Sequence, residues 1–201
     1  MSIEAVRDYI DDHGELYLDA LKALVAQPSV SATGEGVDAC SRLLARIMEG
    51  FGIAPEWHAT DTFPIITGKT SGPQDRPVVL FYGHYDVQPA EPLEAWTSPP
   101  FIPRVADARI YGRGSSDNKG QLLSHLCAVH ALVTVLGELP AGARFLFEGD
   151  EESGSRSLGE FVASHAGTLR ADVAYTSDGP LHYSGAPVVF FGARGLLYVE
   201  V

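Results

Sequence analysis

Only two cysteines occur in the 201 residues, so no disulfide framework organises the chain. Cys40 and Cys127 have neither a second Cys nor a His at metal-ligand spacing, and both fall in stretches that read as helices. Buried free thiols are the expectation. Basic residues are also scarce: 14 Lys plus Arg against 26 Asp plus Glu give a formal charge of -12, with no Lys/Arg-rich run. Such a balance repels phosphate backbones and anionic lipid, so neither nucleic acid nor a membrane surface is an expected partner. Long hydrophobic runs are missing too. The longest, Ala186 to Val201, is broken by Arg194 and Glu200 and falls short of the roughly 20 residues a bilayer requires. The N-terminus, MSIEAVRDYIDDHGELYLDAL, carries acids where a secretion signal has a basic patch and an unbroken apolar core. A cytoplasmic location is expected.

What is present suits one domain of ordinary size, or one plus a fragment: 45% hydrophobic and 20% charged residues, with 21 Gly and 13 Pro spread along the chain. Ile3, Val6, Ile10, Leu16, Leu21, Leu24 and Val25 follow a helical period that Pro28 closes, and Val37 to Met48 reads as a second helix stopped by Gly50 and Gly52. Trp57–His58 and Ile65–Thr67 are short strand candidates. Val78 to Tyr82 is a continuous apolar run, as in a strand covered on both faces. Five prolines make Val87 to Pro103 a loop anchored by Trp96 and Phe101. Strands at Arg109–Tyr111, Ala143–Phe147 and Val173–Tyr175 alternate with helices at Gln121–Leu136 and Leu158–His165; Val188–Phe191 with Leu196–Val201 forms a final strand pair. This alternation predicts an α/β fold with a largely parallel sheet flanked by helices.

Polar residues collect at Gly83-His84-Tyr85-Asp86, Ser115-Ser116-Asp117-Asn118, Asp150-Glu151-Glu152-Ser153 and Ser177-Asp178-Gly179. Three of these follow predicted strands directly and one opens the long helix. In an open α/β sheet the carboxyl ends of parallel strands form the ligand crevice, so the clusters converge there. So many carboxylates in one crevice repel one another unless a cation lies among them, and oxygen ligands plus imidazole suit zinc, with manganese or cobalt as substitutes. Each cluster alone also admits a plainer account. His84 could be a hydrogen-bonded core histidine, Asp117 a helix N-cap, Glu151 and Glu152 a solvated acidic turn, and Asp178-Gly179-Pro180 a simple turn. Other catalytic signatures are weak or absent. Gly112-Arg113-Gly114 has Asp117 at the third glycine position of a dinucleotide loop, Lys119-Gly120 reverses the P-loop order, and neither HExxH nor GxSxG occurs.

In order, GHYDVQPA from Gly83, WTSPPF from Trp96, GRGSSDNKG from Gly112, EGDEESGS from Glu148 and TSDGP from Thr176 resemble the co-catalytic di-zinc peptidases. That family includes glutamate carboxypeptidase, aminoacylase, succinyl-diaminopimelate desuccinylase and the carnosinase-like cytosolic dipeptidases, and the dipeptidase branch is most similar. The resemblance implies that His84, Asp117 and Asp178 bind one zinc and that Asp117 and Glu152 hold a second, with Asp117 bridging. It also implies that Asp86 orients His84 and that Glu151 is the general base. Two metals roughly 3.5 Å apart can share a hydroxide and polarise an amide carbonyl, while a carboxylate carries the proton to the leaving amine.

Those enzymes take a further histidine ligand from beyond a lid domain, which also supplies substrate contacts and the dimer interface. Here Val201 falls where the lid would begin. The expected organisation is therefore the N-terminal part of a metallopeptidase catalytic domain over 1–195, with 196–201 starting the strand into an absent lid. The expected activity is hydrolysis of dipeptides, incomplete in this chain, by a full-length homodimer. N-acyl amino acid deacylation and a non-catalytic metal-binding module are the alternatives.

Overall fold

The computed structural model describes residues 2–70, 75–179 and, beyond them, 182–186, 188–190, 192, 195 and 199. Helices α1 (Ile3–Asp12), α2 (Gly14–Ala26) and α3 (Val37–Gly50) precede strands β1 (Ala54–His58), β2 (Ile65–Thr70) and β3 (Val78–His84). A small antiparallel pair, β4 (Arg104–Ala106) and β5 (Arg109–Tyr111), leads to α4 (Lys119–Leu136). Then follow β6 (Gly142–Glu148), α5 (Leu158–Ser164), α6 (Ala166–Leu169) and β7 (Val173–Thr176).

The main sheet has the order β1-β2-β6-β3-β7. Its parallel part is β6-β3-β7, while β1 and β2 add an antiparallel flank. Alternation along the strands sorts side chains to two faces. Ile66, Phe145 and Phe147 join the larger core with Leu24, Leu44, Met48, Leu122 and Leu126, whereas Ile65 and Leu146 face Phe161 and Leu169. β6 is covered on both sides. β3 is only half-buried over Val78–Tyr82, although the same apolar run predicted full cover; Phe81 packs on one core and Leu80 and Tyr82 on the other.

The N-terminal apolar period is divided between two helices. His13 leaves the helical conformation at φ -112°, and its Nδ1 hydrogen-bonds the Tyr9 carbonyl at 2.8 Å. The prolines obscured β4, which is short and exposed. α4 is long and apolar enough to cross a membrane by length and composition. Leu122, Leu126 and Val129 bury it in the larger core, and the left-handed Gly137 (φ 84°) ends it. Cys40 is buried and Cys127 half-buried, both as free thiols. Residues 188–190 form no strand; Phe191 and most of Leu196–Val201, with the expected boundary at 196, lie outside the described residues.

Candidate metal centre

Register brings the chemistry to one edge. In the parallel part of the sheet His84 lies opposite Glu148, and Tyr82 lies opposite Thr176. The loops after β3, β6 and β7 therefore leave side by side, carrying His84 to Asp86, Glu151 to Glu152 and Asp178. The N-terminus of α4 comes up against the same edge and delivers Asp117.

The imidazole of His84 is fully buried, and its Nε2 stands 3.1 Å from Asp117 Oδ1, 3.4 Å from Asp178 Oδ2 and 3.8 Å from Glu151 Oε2. One donor atom each from His84, Glu151 and Asp178 lies within 4.8 Å of the others. On the opposite side of the ring, Nδ1 is 3.1 Å from the backbone carbonyl of Asp86 and 3.4 Å from its Oδ1. Asp86 is itself fully buried. Its carboxylate accepts the backbone N–H of Glu151 at 3.2 Å and of Glu152 at 3.0 Å.

With Nδ1 donating to Asp86, Nε2 carries the lone pair, yet it faces carboxylate oxygens and has no hydrogen-bond partner. A proton or a metal cation resolves that arrangement. Burial alone pushes the imidazole pKa down, but the contacts with Asp178 and Asp86 outweigh it and lift the group to about 11. The approach of the His84 ring, 3.4 Å away, holds the Asp178 carboxyl below its usual range. Burial raises Glu151 and Glu152, with His84 opposing the rise in both. One neutral nitrogen and several carboxylate oxygens, anchored from behind by Asp86, match the donors a zinc-like divalent cation prefers, so the residues fit such an ion.

The sequence-predicted residues divide in an instructive way. His84, Glu151 and Asp178 come together, Asp117 lies against His84 alone, and Asp86 stands behind the ring. Glu152 points aside, its Oε2 accepting from Gln88 Nε2 at 2.7 Å. Asp150 is drawn off by Arg156, which donates from Nη2 at 2.7 Å and Nε at 3.0 Å. Asp117 is not a cap, because the N-cap of α4 is Asn118. Several supporting residues escaped the sequence reading. Glu148, 1% exposed, accepts from Tyr82 Oη at 2.6 Å and Ser155 Oγ at 2.8 Å. Lys119, with no exposed surface, donates to the carbonyls of Leu24 at 2.9 Å and Gln27 at 2.7 Å, which fastens the α4 start to the end of α2. A Lys two residues after Asp117, in the first turn of α4, is the only sequence signal for it. A groove of about 870 Å³ lies elsewhere, lined by Phe51, Lys69, Val129, His130 and Leu139. Donor chemistry rather than concavity marks the site.

Residues 80–189 match the sequence profile of peptidase family M20/M25/M40. The human protein named Beta-Ala-His dipeptidase is 31% identical over 217 residues, which cover 99% of this chain and 43% of that protein. The crystal structure of an M20 family metallo-carboxypeptidase from Sulfolobus solfataricus superposes with a TM-score of 0.80 at 32% identity, covering 85% of this chain and 39% of that one. The di-peptidase Dug1p of Saccharomyces cerevisiae gives a TM-score of 0.80 at 28% identity, over 88% of this chain and 41% of its own. The chain thus spans less than half the length of these relatives.

Proposed function

The chain belongs to peptidase family M20/M25/M40, and on that premise we propose that it carries most of the metal site of a dipeptidase-like hydrolase acting in the cytoplasm. The observation that carries this reading is His84 Nε2, buried without a hydrogen-bond partner and turned toward Asp117, Asp178 and Glu151. His84, Asp117 and Asp178 would hold one divalent cation, zinc by preference, and Asp117 with Glu152 would hold another. The Asp117 side chain, 65% exposed, is open to such sharing. Bound cations would supply Lewis acidity toward an amide carbonyl and toward water.

The chain's own groups do the rest. Asp86 fixes the His84 ring and the Glu151–Glu152 backbone in one unit. Glu151 is half-buried beside the cluster, and burial raises its carboxyl toward the range a general base needs. It takes a proton from water as the oxygen adds to the amide carbon, and it returns the proton to nitrogen as the C–N bond breaks. Free thiols at Cys40 and Cys127 suit a reducing cytoplasm. The names of the human Beta-Ala-His dipeptidase and the yeast di-peptidase Dug1p support dipeptides as the substrate class.

The test is an assay of the protein with added zinc against a panel of dipeptides and N-acyl amino acids. Zinc-dependent release of free amino acids from dipeptides is expected. Preference for N-acyl amino acids would reassign the substrate to the deacylase alternative. Stoichiometric zinc binding without turnover of either class would leave a metal-binding module.

A further inference from the structure

Asn118 stands beside Asp117 and is 1% exposed. Its carbonyl accepts the Leu122 N–H at 2.9 Å, which fixes it in the first turn of α4. Although it is the N-cap residue, its side chain makes no capping hydrogen bond. Instead Oδ1 reaches across to β3 and accepts the backbone N–H of His84 at 3.2 Å, a link between residues 34 apart in sequence. Gly83 makes that approach possible: a Cβ there would meet Asn118 Oδ1 at 2.8 Å. The other end of the amide, Nδ2, is buried without a hydrogen-bond partner. A buried donor left unpaired is unfavourable and rare, so it calls for an acceptor in the working site.

We propose that Asn118 is a positioning residue of the metal centre, holding the end of β3 so that the His84 ring meets the carboxylates around it. The inference rests on the metal-site reading above. Oδ1 sets the height of the His84 backbone, and Nδ2, buried and unpaired, is left as a donor for an acceptor in the working site. Outer partners of this kind orient ligands without touching the ion.

The test uses cobalt(II) as the probe on the whole chain, with affinity from titration and ligand geometry from the visible absorption of the bound ion. Asn118→Leu keeps the volume and removes both polar ends. Gly83→Ala leaves the amide in place and displaces it. Each variant, with an unfolding midpoint near that of the wild type, should bind cobalt about 10-fold or more weakly and with altered absorption. A folded variant of either kind that binds within twofold, with unchanged absorption, overturns the proposal. Loss of the fold in both would also overturn it, by assigning Asn118 to the core. A wild-type chain that binds no cobalt would overturn the metal-site reading and this inference together; normal wild-type binding with unaffected variants would overturn this inference alone.

Discussion

The carboxylate of Asp86 accepts the N–H groups of both Glu151 and Glu152, at 3.2 and 3.0 Å, while standing 3.4 Å from His84 Nδ1. One buried side chain thus sets the ring that presents Nε2 and the turn that presents two acids. Asp86→Ala should loosen both at once. Outer-partner losses cost about 10- to 100-fold in metal affinity, and two buried N–H groups left unpaired cost about 1–3 kcal/mol each. Calorimetric zinc titration beside urea unfolding would show weaker binding together with a lower midpoint. Unchanged values on both would deny Asp86 this role.

The sequence made the sheet edge legible because three clusters followed apolar strands, and strand ends in a parallel sheet share a crevice. It did not reveal that Glu152 turns to Gln88 or that Asp150 turns to Arg156, because neighbouring acids in one short turn differ only in direction. Asn118 was invisible for another reason. Its partner His84 is 34 residues away, and Gly83 admits the contact only after α4 has packed on β3. The break at His13 likewise interrupts an apolar period that continues unchanged on both sides.

Glu151 and Asp117 should respond differently to loss of charge. Glu151→Gln is expected to leave metal content unchanged and lower turnover by roughly 100- to 10,000-fold, the scale of losing a general base. Asp117→Asn should lose metal, since it removes a charge 3.1 Å from His84 Nε2 that two cations would share. Metal content by atomic absorption, measured beside turnover, decides. The reverse pattern would exchange the two roles, and Glu151 stands close enough to the cluster for that outcome to be informative.

His125 offers a pH signature away from the carboxylates. It is 6% exposed, its Nε2 hydrogen-bonds Ser177 Oγ at 2.9 Å, and burial lowers its pKa from 6.5 to about 4. Between those values the unfolded chain binds a proton that the folded chain refuses, so this group makes stability rise with pH across that window. Its penalty is absent above the unfolded value and complete below the folded one, at roughly 3 kcal/mol. Urea midpoints at pH 4.5, 5.5 and 7 should show a shallower acid loss for His125→Gln than for the wild type. Parallel profiles would mean that the imidazole protonates in place.

Metal removal and return should reveal unequal sites. On the proposed assignment the first cation position would draw on His84, Asp117 and Asp178, the usual number of protein ligands for a catalytic zinc, whereas the second would draw on Asp117 and Glu152. Glu152 is further committed to Gln88 at 2.7 Å and must leave that partner or share with it. The chain, stripped with chelator and titrated with zinc, should therefore show one tight event and a second at least about 10-fold weaker. An ion that binds the folded state alone stabilises it in proportion to the logarithm of its concentration. The thermal midpoint should then rise mainly with the first equivalent. His84→Gln should abolish that rise, because it removes the nitrogen on which the first position converges. Two equally tight events would show that a third donor completes the second position.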